Sequence, residues 1–191
     1  TGSRGDQYVQ QQQAANQGKL QLRLFPAGCH PQGVWMNVLK KPLDDPRVRQ
    51  AVSLALDRKS SIEALYDGRA APVLVLKAGS EYGRAESEIW DVVPGFGTGS
   101  HKQQEKDQAR KLLADAGYPN GIDLPIVGRG DATGQAKLTE WAALSLKEVG
   151  IRTSVTLTPT SNDLFARMQA LDYTLVAVLF CQTVADPDEI W

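Results

Sequence analysis

The sequence predicts an α/β domain whose mixed, largely parallel sheet is flanked by helices, and two observations carry that expectation. From residue 100 onward, segments of helical and strand period alternate: "KQQEKDQARKLLADAG", "IDLPIV", "GQAKLTEWAALSLKEVG", "IRTSVTL", "SNDLFARMQAL" and "YTLVAVLF" follow one another, separated by turn residues. Strands joined through a helix return parallel to one another in the same sheet. The last strand is an unbroken apolar run, the pattern of a strand covered on both faces. In such sheets ligands are met beyond the carboxyl ends of the strands, here from Val127, Leu157 and Phe180 onward.

Residues 1–18 are rich in Gln, Gly and Asn with little apolar period, and read as a linker or peripheral segment with no structure assigned. Residues 19–191 read as a single α/β lobe. "KLQLRLF" at 19–25 alternates Leu20, Leu22 and Leu24 with Gln21, Arg23 and Phe25, the period of a half-buried strand. "VWMNVL" at 34–39 is a second strand candidate. In "PLDDPRVRQAVSLALDR" (42–58), Asp45 fits the N-cap and Pro46 the N1 position, where its missing N–H costs nothing. Val48, Ala51, Val52, Ala55 and Leu56 then line one helical face. Asp57 caps a second helix, which runs through Ile62 and Leu65 to a stop at Asp67–Gly68.

Residues 69–99 hold Gly and Pro without a period and read as irregular surface structure. The next helix turns Ala109, Leu112, Leu113 and Ala116 inward and stops at Gly117. Its successor buries Leu138, Trp141, Ala142 and Val149. The short final helix, capped by Thr160 or Ser161, turns Leu164, Phe165 and Met168 inward.

Composition excludes several function classes. The chain is 42% apolar and 23% charged, an ordinary globular balance, and its net charge is −1 without a basic stripe. Nucleic acid is therefore not an expected partner. "LVAVLF" at 175–180, the longest apolar run, is too short to span a bilayer. The chain opens "TGSRGDQ" without methionine and stops on "ADPDEIW", so it reads as an excised piece of a longer protein. Two cysteines, Cys29 and Cys181, exclude a disulfide framework and a four-thiolate zinc site. Buried free thiols are favoured over a Cys29–Cys181 pair, which stays open for an exported parent. With His30 and His101 as the only histidines, neither a metal nor a cofactor is expected.

The sequence is poor in catalytic constellations. "GFGTGS" at 95–100 lacks a preceding strand, the dinucleotide spacing and a P-loop lysine, so a flexible turn is favoured over a phosphate cradle. "RGD" at 4–6 and 129–131 reads as charged turn residues. No "GxSxG" is present and neither histidine has a recognisable partner, so no active site is expected. Asp186 and Asp188 fit a turn around Pro187. Arg129, just past the carboxyl end of the "IDLPIV" strand, can hold a carboxylate by two parallel hydrogen bonds, or be a solvated loop arginine.

Taken together, "PLDDPRVRQAVSLALDR", "IEALYDGRAAP", "DQARKLLADAGYPNGIDLPI", "LKEVGI" and "ADPDEIW", in this order, resemble the extracellular solute-binding proteins of ABC importers, in the family with dipeptide-, oligopeptide- and nickel-binding members. The resemblance covers residues 19–191. It implies lobe II of a two-lobed periplasmic-binding-protein-like fold, with the other lobe, both hinge crossings and the C-terminal tail outside this chain. It also implies a non-catalytic monomer, exported to the periplasm or held at the cell surface as a lipoprotein. Such a protein closes on a small solute by hinge motion and delivers it to the membrane permease of an ABC transporter.

By the same resemblance, the capped helix at 45 follows the strand containing Asn37, a candidate ligand-binding residue at the heart of this lobe. Arg129 matches the arginine that meets a ligand carboxylate in peptide-binding relatives. Phe180, Cys181 and Gln182 match the segment laid against the ligand backbone. Thr183 stands where those relatives place an aspartate for the peptide amino group, a departure that removes a charge-assisted contact and puts free-amine peptides in doubt. Asp186 would replace it only with a rearranged loop. A peptide or related small solute is the leading expectation. An oligosaccharide, opine or nickel chelate is the main alternative; an α/β enzyme domain and a purely packing domain are further ones.

Overall fold

The computed structural model describes residues 5–21, 32–74 and 83–179, with side chains from residue 10 in the first helix. Helix α1 (Gly5–Asn16) precedes strand β1 (Gln32–Met36), helices α2 (Pro46–Ala55), α3 (Arg58–Tyr66) and α4 (Gly99–Asp115), and strands β2 (Ile122–Asp123) and β3 (Ile126–Arg129). Helix α5 (Thr133–Lys147), strands β4 (Ile151–Arg152) and β5 (Val155–Thr158), helix α6 (Ser161–Gln169) and strand β6 (Leu175–Leu179) complete the described order. The main sheet runs β1-β6-β3-β5, and β2 pairs with β4 beside it. Strand β3 is parallel to β5 and β6, β2 is parallel to β4, and among the described strands only β1 is antiparallel, to β6. The expected mixed, largely parallel sheet flanked by helices is what the chain forms.

Three particulars differ from the expectation. Residues 5–16 are helical, because a run of Gln and Ala favours helix even without an apolar stripe; the side chains described there are exposed or half-buried. "IDLPIV" and "IRTSVTL" each divide into two short strands. Pro125 has no N–H for the ladder, so regular pairing breaks there and resumes at Ile126, while the Pro125 carbonyl accepts from the Leu175 amide. Phe165 is 40% exposed rather than inward, since the nine-residue α6 meets the sheet along the narrow stripe of Leu164 and Met168. The strand expected at 19–25 lies largely outside the described residues.

The caps form as the sequence dictates. The Asp45 carboxylate accepts from the Arg47 amide at 2.8 Å with Pro46 opening α2, and Asp57 accepts from the Ser60 amide to start α3. Asp67 ends α3 in the left-handed region, φ 50°. Thr160, not Ser161, caps α6, in a reciprocal box with Asp163.

Strand parity sorts the core into two layers. Ile126, Leu175 and Ala177 face a large cluster with α2, α4 and α5, built on Val48, Ala51, Val52, Leu113, Leu138 and Leu146. Val127, Val176 and Val178 face the opposite way, onto Leu164 of α6. Helix α5 lies so close to β3 that only glycine fits at 128: a Cβ there would collide with the Thr139 hydroxyl and stand 2.9 Å from Thr139 Cβ. Among the described residues no helix is long and apolar enough to cross a membrane.

Candidate functional site

The carboxyl ends of the parallel strands converge at one edge of the sheet. Strand β3 ends at Arg129, opposite Thr158, the last residue of β5. Strand β6 ends at Leu179, opposite Gln32, the first residue of β1. Sheet alternation puts Arg129 on the same face as Val127, the face that α6 covers. Thr158 is buried beside it, its hydroxyl donating to the carbonyl of Thr160 at 3.0 Å. This edge is the place where a doubly wound sheet meets ligands.

Arg129 does not stand alone there. Its Nε and Nη2 donate to the two carboxylate oxygens of Asp131 at 2.8 and 2.9 Å, a fork-to-fork pair whose side chains are 25% and 32% exposed. The hydrogen bonds to Arg129 hold the Asp131 carboxyl below the usual aspartate range, and backbone amides of Asp131 itself and Ser161 act in the same direction. The same pairing raises the affinity of Arg129 for its proton. The "RGD" at 129–131 is thus closed on itself, with its acid bound along one edge of its base.

Asn37 is placed elsewhere. It follows β1 at the opposite end of the sheet from Arg129, and its backbone amide donates to Thr174. Its side chain is 3% exposed and donates to the carbonyls of Leu171 and Tyr173 at 3.0 and 3.1 Å. The Asn37 carboxamide oxygen accepts from the Leu39 amide. Asn37 and Arg129 are therefore not brought together. Phe180, Cys181, Gln182 and Thr183 lie outside the described residues, as do Cys29, His30, Asp186 and Asp188.

The glycine-rich "GFGTGS" has its amides occupied by carboxylates of the chain itself. Glu105 accepts from the amides of Gly95 and Gly97 at 2.6 and 3.1 Å, and Asp91 accepts from the Thr98 amide at 2.6 Å. These three amides are therefore already bound within the chain. Arg58 caps the same loop: it donates to the carbonyls of Gly95 and Ser53 and lies 4.5 Å from the centre of the Phe96 ring. Burial lowers the Arg58 pKa to about 10, a cost offset in part by Glu105.

Sequence reasoning missed Asp131, Lys102 and Glu105. The R-x-D spacing at a strand end was the available signal for Asp131, since two residues of turn bring the two forks face to face. Of the shallow depressions among the described residues, one at Tyr118, Asn120 and Gly150 opens before β2 and β4 and one at Pro125, Arg152 and Ser154 at the amino ends of β3 and β5, both away from Arg129.

Comparison with known proteins follows the same lines. The model of the bacterial extracellular solute-binding proteins, family 5 (middle region), matches residues 4–191. A glutathione-binding protein, GsiB of Pectobacterium atrosepticum, is 29% identical over 138 residues, which are 72% of this chain and 24% of that protein. Two solved structures share the fold. Helicobacter pylori DppA in complex with the peptide STSA has a TM-score of 0.69 at 22% identity, over 85% of this chain and 29% of that one. AgaA from A. tumefaciens R10 in complex with agropinic acid has a TM-score of 0.68 at 24% identity, over 85% and 31%. The chain spans about a quarter or less of the length of the curated relatives it matches.

Proposed function

Because the chain belongs to the bacterial extracellular solute-binding proteins of family 5, we propose that it forms one lobe of a receptor that takes a peptide or related small solute and hands it to an ABC importer. Residues 19–191 constitute the lobe and residues 1–18 a peripheral segment. The receptor is extracytoplasmic, monomeric and non-catalytic, and its partner is the membrane permease. The solute lies between this lobe, lobe II, and a second one, and hinge closure on it produces the form that the permease reads.

The observation that carries this reading is Arg129 at the carboxyl end of β3, partly exposed and preset on a carboxylate. Glutathione, the peptide STSA and agropinic acid, the ligands in the names of the proteins compared, all bear carboxyl groups. A guanidinium fork is the residue type suited to that shared chemistry. Strand β6 ends at the same edge of the sheet, and in this reading the residues next in sequence, Phe180, Cys181, Gln182 and Thr183, line the solute. Thr183, in place of the aspartate of peptide-binding relatives, favours a solute whose amino group is absent or held by another group. That point supports an opine or another non-peptide acid as the second reading.

The test is a thermal-shift screen of the full-length protein against reduced glutathione, di- and oligopeptides, opines, oligosaccharides and nickel chelates, followed by calorimetry. A ligand that binds only the folded state raises the melting temperature. Carboxylate-bearing hits whose affinity falls by about 1.5 to 3 kcal/mol in Arg129→Ala are expected, the worth of a charged hydrogen bond. Binding confined to oligosaccharides, or an unchanged Kd in the variant, would remove Arg129 from the site.

A further inference from the structure

The Arg129 pair is asymmetric in a way that bears on specificity. A guanidinium has two edges that can hold a carboxylate side by side, one made of Nε and one Nη, the other of the two Nη groups. Asp131 occupies the first edge through Nε and Nη2. The second edge has no partner among the described residues. Asp131 is itself constrained, since it sits in the short turn between β3 and α5 and both of its carboxylate oxygens are taken up by the guanidinium. The end of strand β3 and the turn after it are thus tied together at one carboxylate.

We propose that Asp131 is a positioning residue for solute recognition, which holds one edge of the Arg129 guanidinium so that the other edge is preset for a solute carboxylate. The proposal rests on the solute-binding reading given above. Two physical consequences follow. An arginine already held along one edge loses less freedom on binding than one waving in solvent, so recognition is preorganised. The Arg129–Asp131 pair is formally neutral, so selectivity arises from the geometry of the donors rather than from net attraction, and binding depends little on salt. A site with a bare arginine would attract any anion, whereas this one selects a planar carboxylate that fits the remaining fork.

Calorimetry on the full-length protein tests this with reduced glutathione, the dipeptide Met-Leu and C-terminally amidated Met-Leu as probes, in wild type, Asp131→Asn, Asp131→Ala and Arg129→Ala. Expected is a preference for Met-Leu over its amide that falls about tenfold in both Asp131 variants, with binding of the acids becoming more salt-dependent as the site turns cationic. Tighter binding of the acids in the Asp131 variants would overturn the proposal, because Asp131 would then be a competitor for the fork; an unchanged preference would overturn it as well. If Arg129→Ala leaves all probes unaffected, or none binds, the solute-binding reading of Arg129 fails first. A readout independent of solute and of folding yield is the Arg129 Nε–H resonance in the unliganded protein, protected from exchange in wild type and lost in Asp131→Asn. Its absence in wild type would also sink the proposal.

Discussion

Lys102 and Glu105 form an ion pair of 2.5 Å one turn apart on α4, with side chains only 4% and 14% exposed. Between them they hold the loop before α4: Lys102 donates to the carbonyls of Leu54, Leu56 and Gly95, while Glu105 accepts from the amides of Gly95 and Gly97. Burial lowers the Lys102 pKa, and Glu105 opposes that shift. Replacing one member strands the other charge in a dry site. Lys102→Met is therefore expected to cost about 3 kcal/mol of unfolding free energy in urea, and the double variant with Glu105→Gln to cost less than the sum of the two singles. Additive losses would mean that the two side chains act independently.

A second prediction concerns the contact between α5 and β3. Gly128→Ala places a methyl where the Thr139 hydroxyl now sits, and that hydroxyl is committed to the Gln135 carbonyl at 2.8 Å. Overpacking of this kind costs about 1 to 3 kcal/mol. Thr139→Ala made in the Gly128→Ala background removes the colliding hydroxyl but keeps the Cβ at 2.9 Å, so it should restore only part of the loss. A neutral Gly128→Ala would show that α5 can move away from the strand freely.

Asn37 gives a third. Its buried carboxamide joins the end of β1 to the turn before β6, far from the edge that holds Arg129. Asn37→Ala leaves the carbonyls of Leu171 and Tyr173 without that donor, an expected loss of about 2 kcal/mol in stability. Solute affinity in calorimetry should stay within about twofold. A large fall in affinity at unchanged stability would instead place Asn37 in direct contact with solute.

What the sequence made legible was local. Caps at Asp45 and Asp57, the stop at Asp67–Gly68 and the helical stripe from Val48 to Ala55 depend on neighbours in the chain, and they form as read. Pro125 was visible too, but its effect, the division of one parallel ribbon into β2 and β3, depends on the partner strand. Lys102 and Glu105 gave no local sign of burial, because a charged i, i+3 pair on a helix is ordinarily a solvated one; the end of α2 and the loop at 95–97 enclose it. Arg129 was placed by its position after a strand. That Asp131 would take one edge of its guanidinium was a matter of turn geometry, which the spacing R-x-D permits but does not dictate.

The Arg129–Asp131 pair also sets the response to acid. Asp131 in the folded protein holds its charge to a pH below the ordinary aspartate value of 3.8, chiefly through its hydrogen bonds with Arg129. A carboxyl whose folded pKa is depressed adds stability that is fully present above the unfolded value and is lost as pH falls toward the folded one. The stability difference between wild type and Asp131→Asn should accordingly be constant near neutrality and shrink below pH 3.8. Urea unfolding of both proteins across that range measures it. Because the Arg129 hydrogen bonds are the leading cause, Arg129→Ala should shift the midpoint of this loss upward, toward 3.8. An acid limb that Arg129→Ala leaves unmoved would assign the depression to the backbone amides of Asp131 itself and of Ser161 instead.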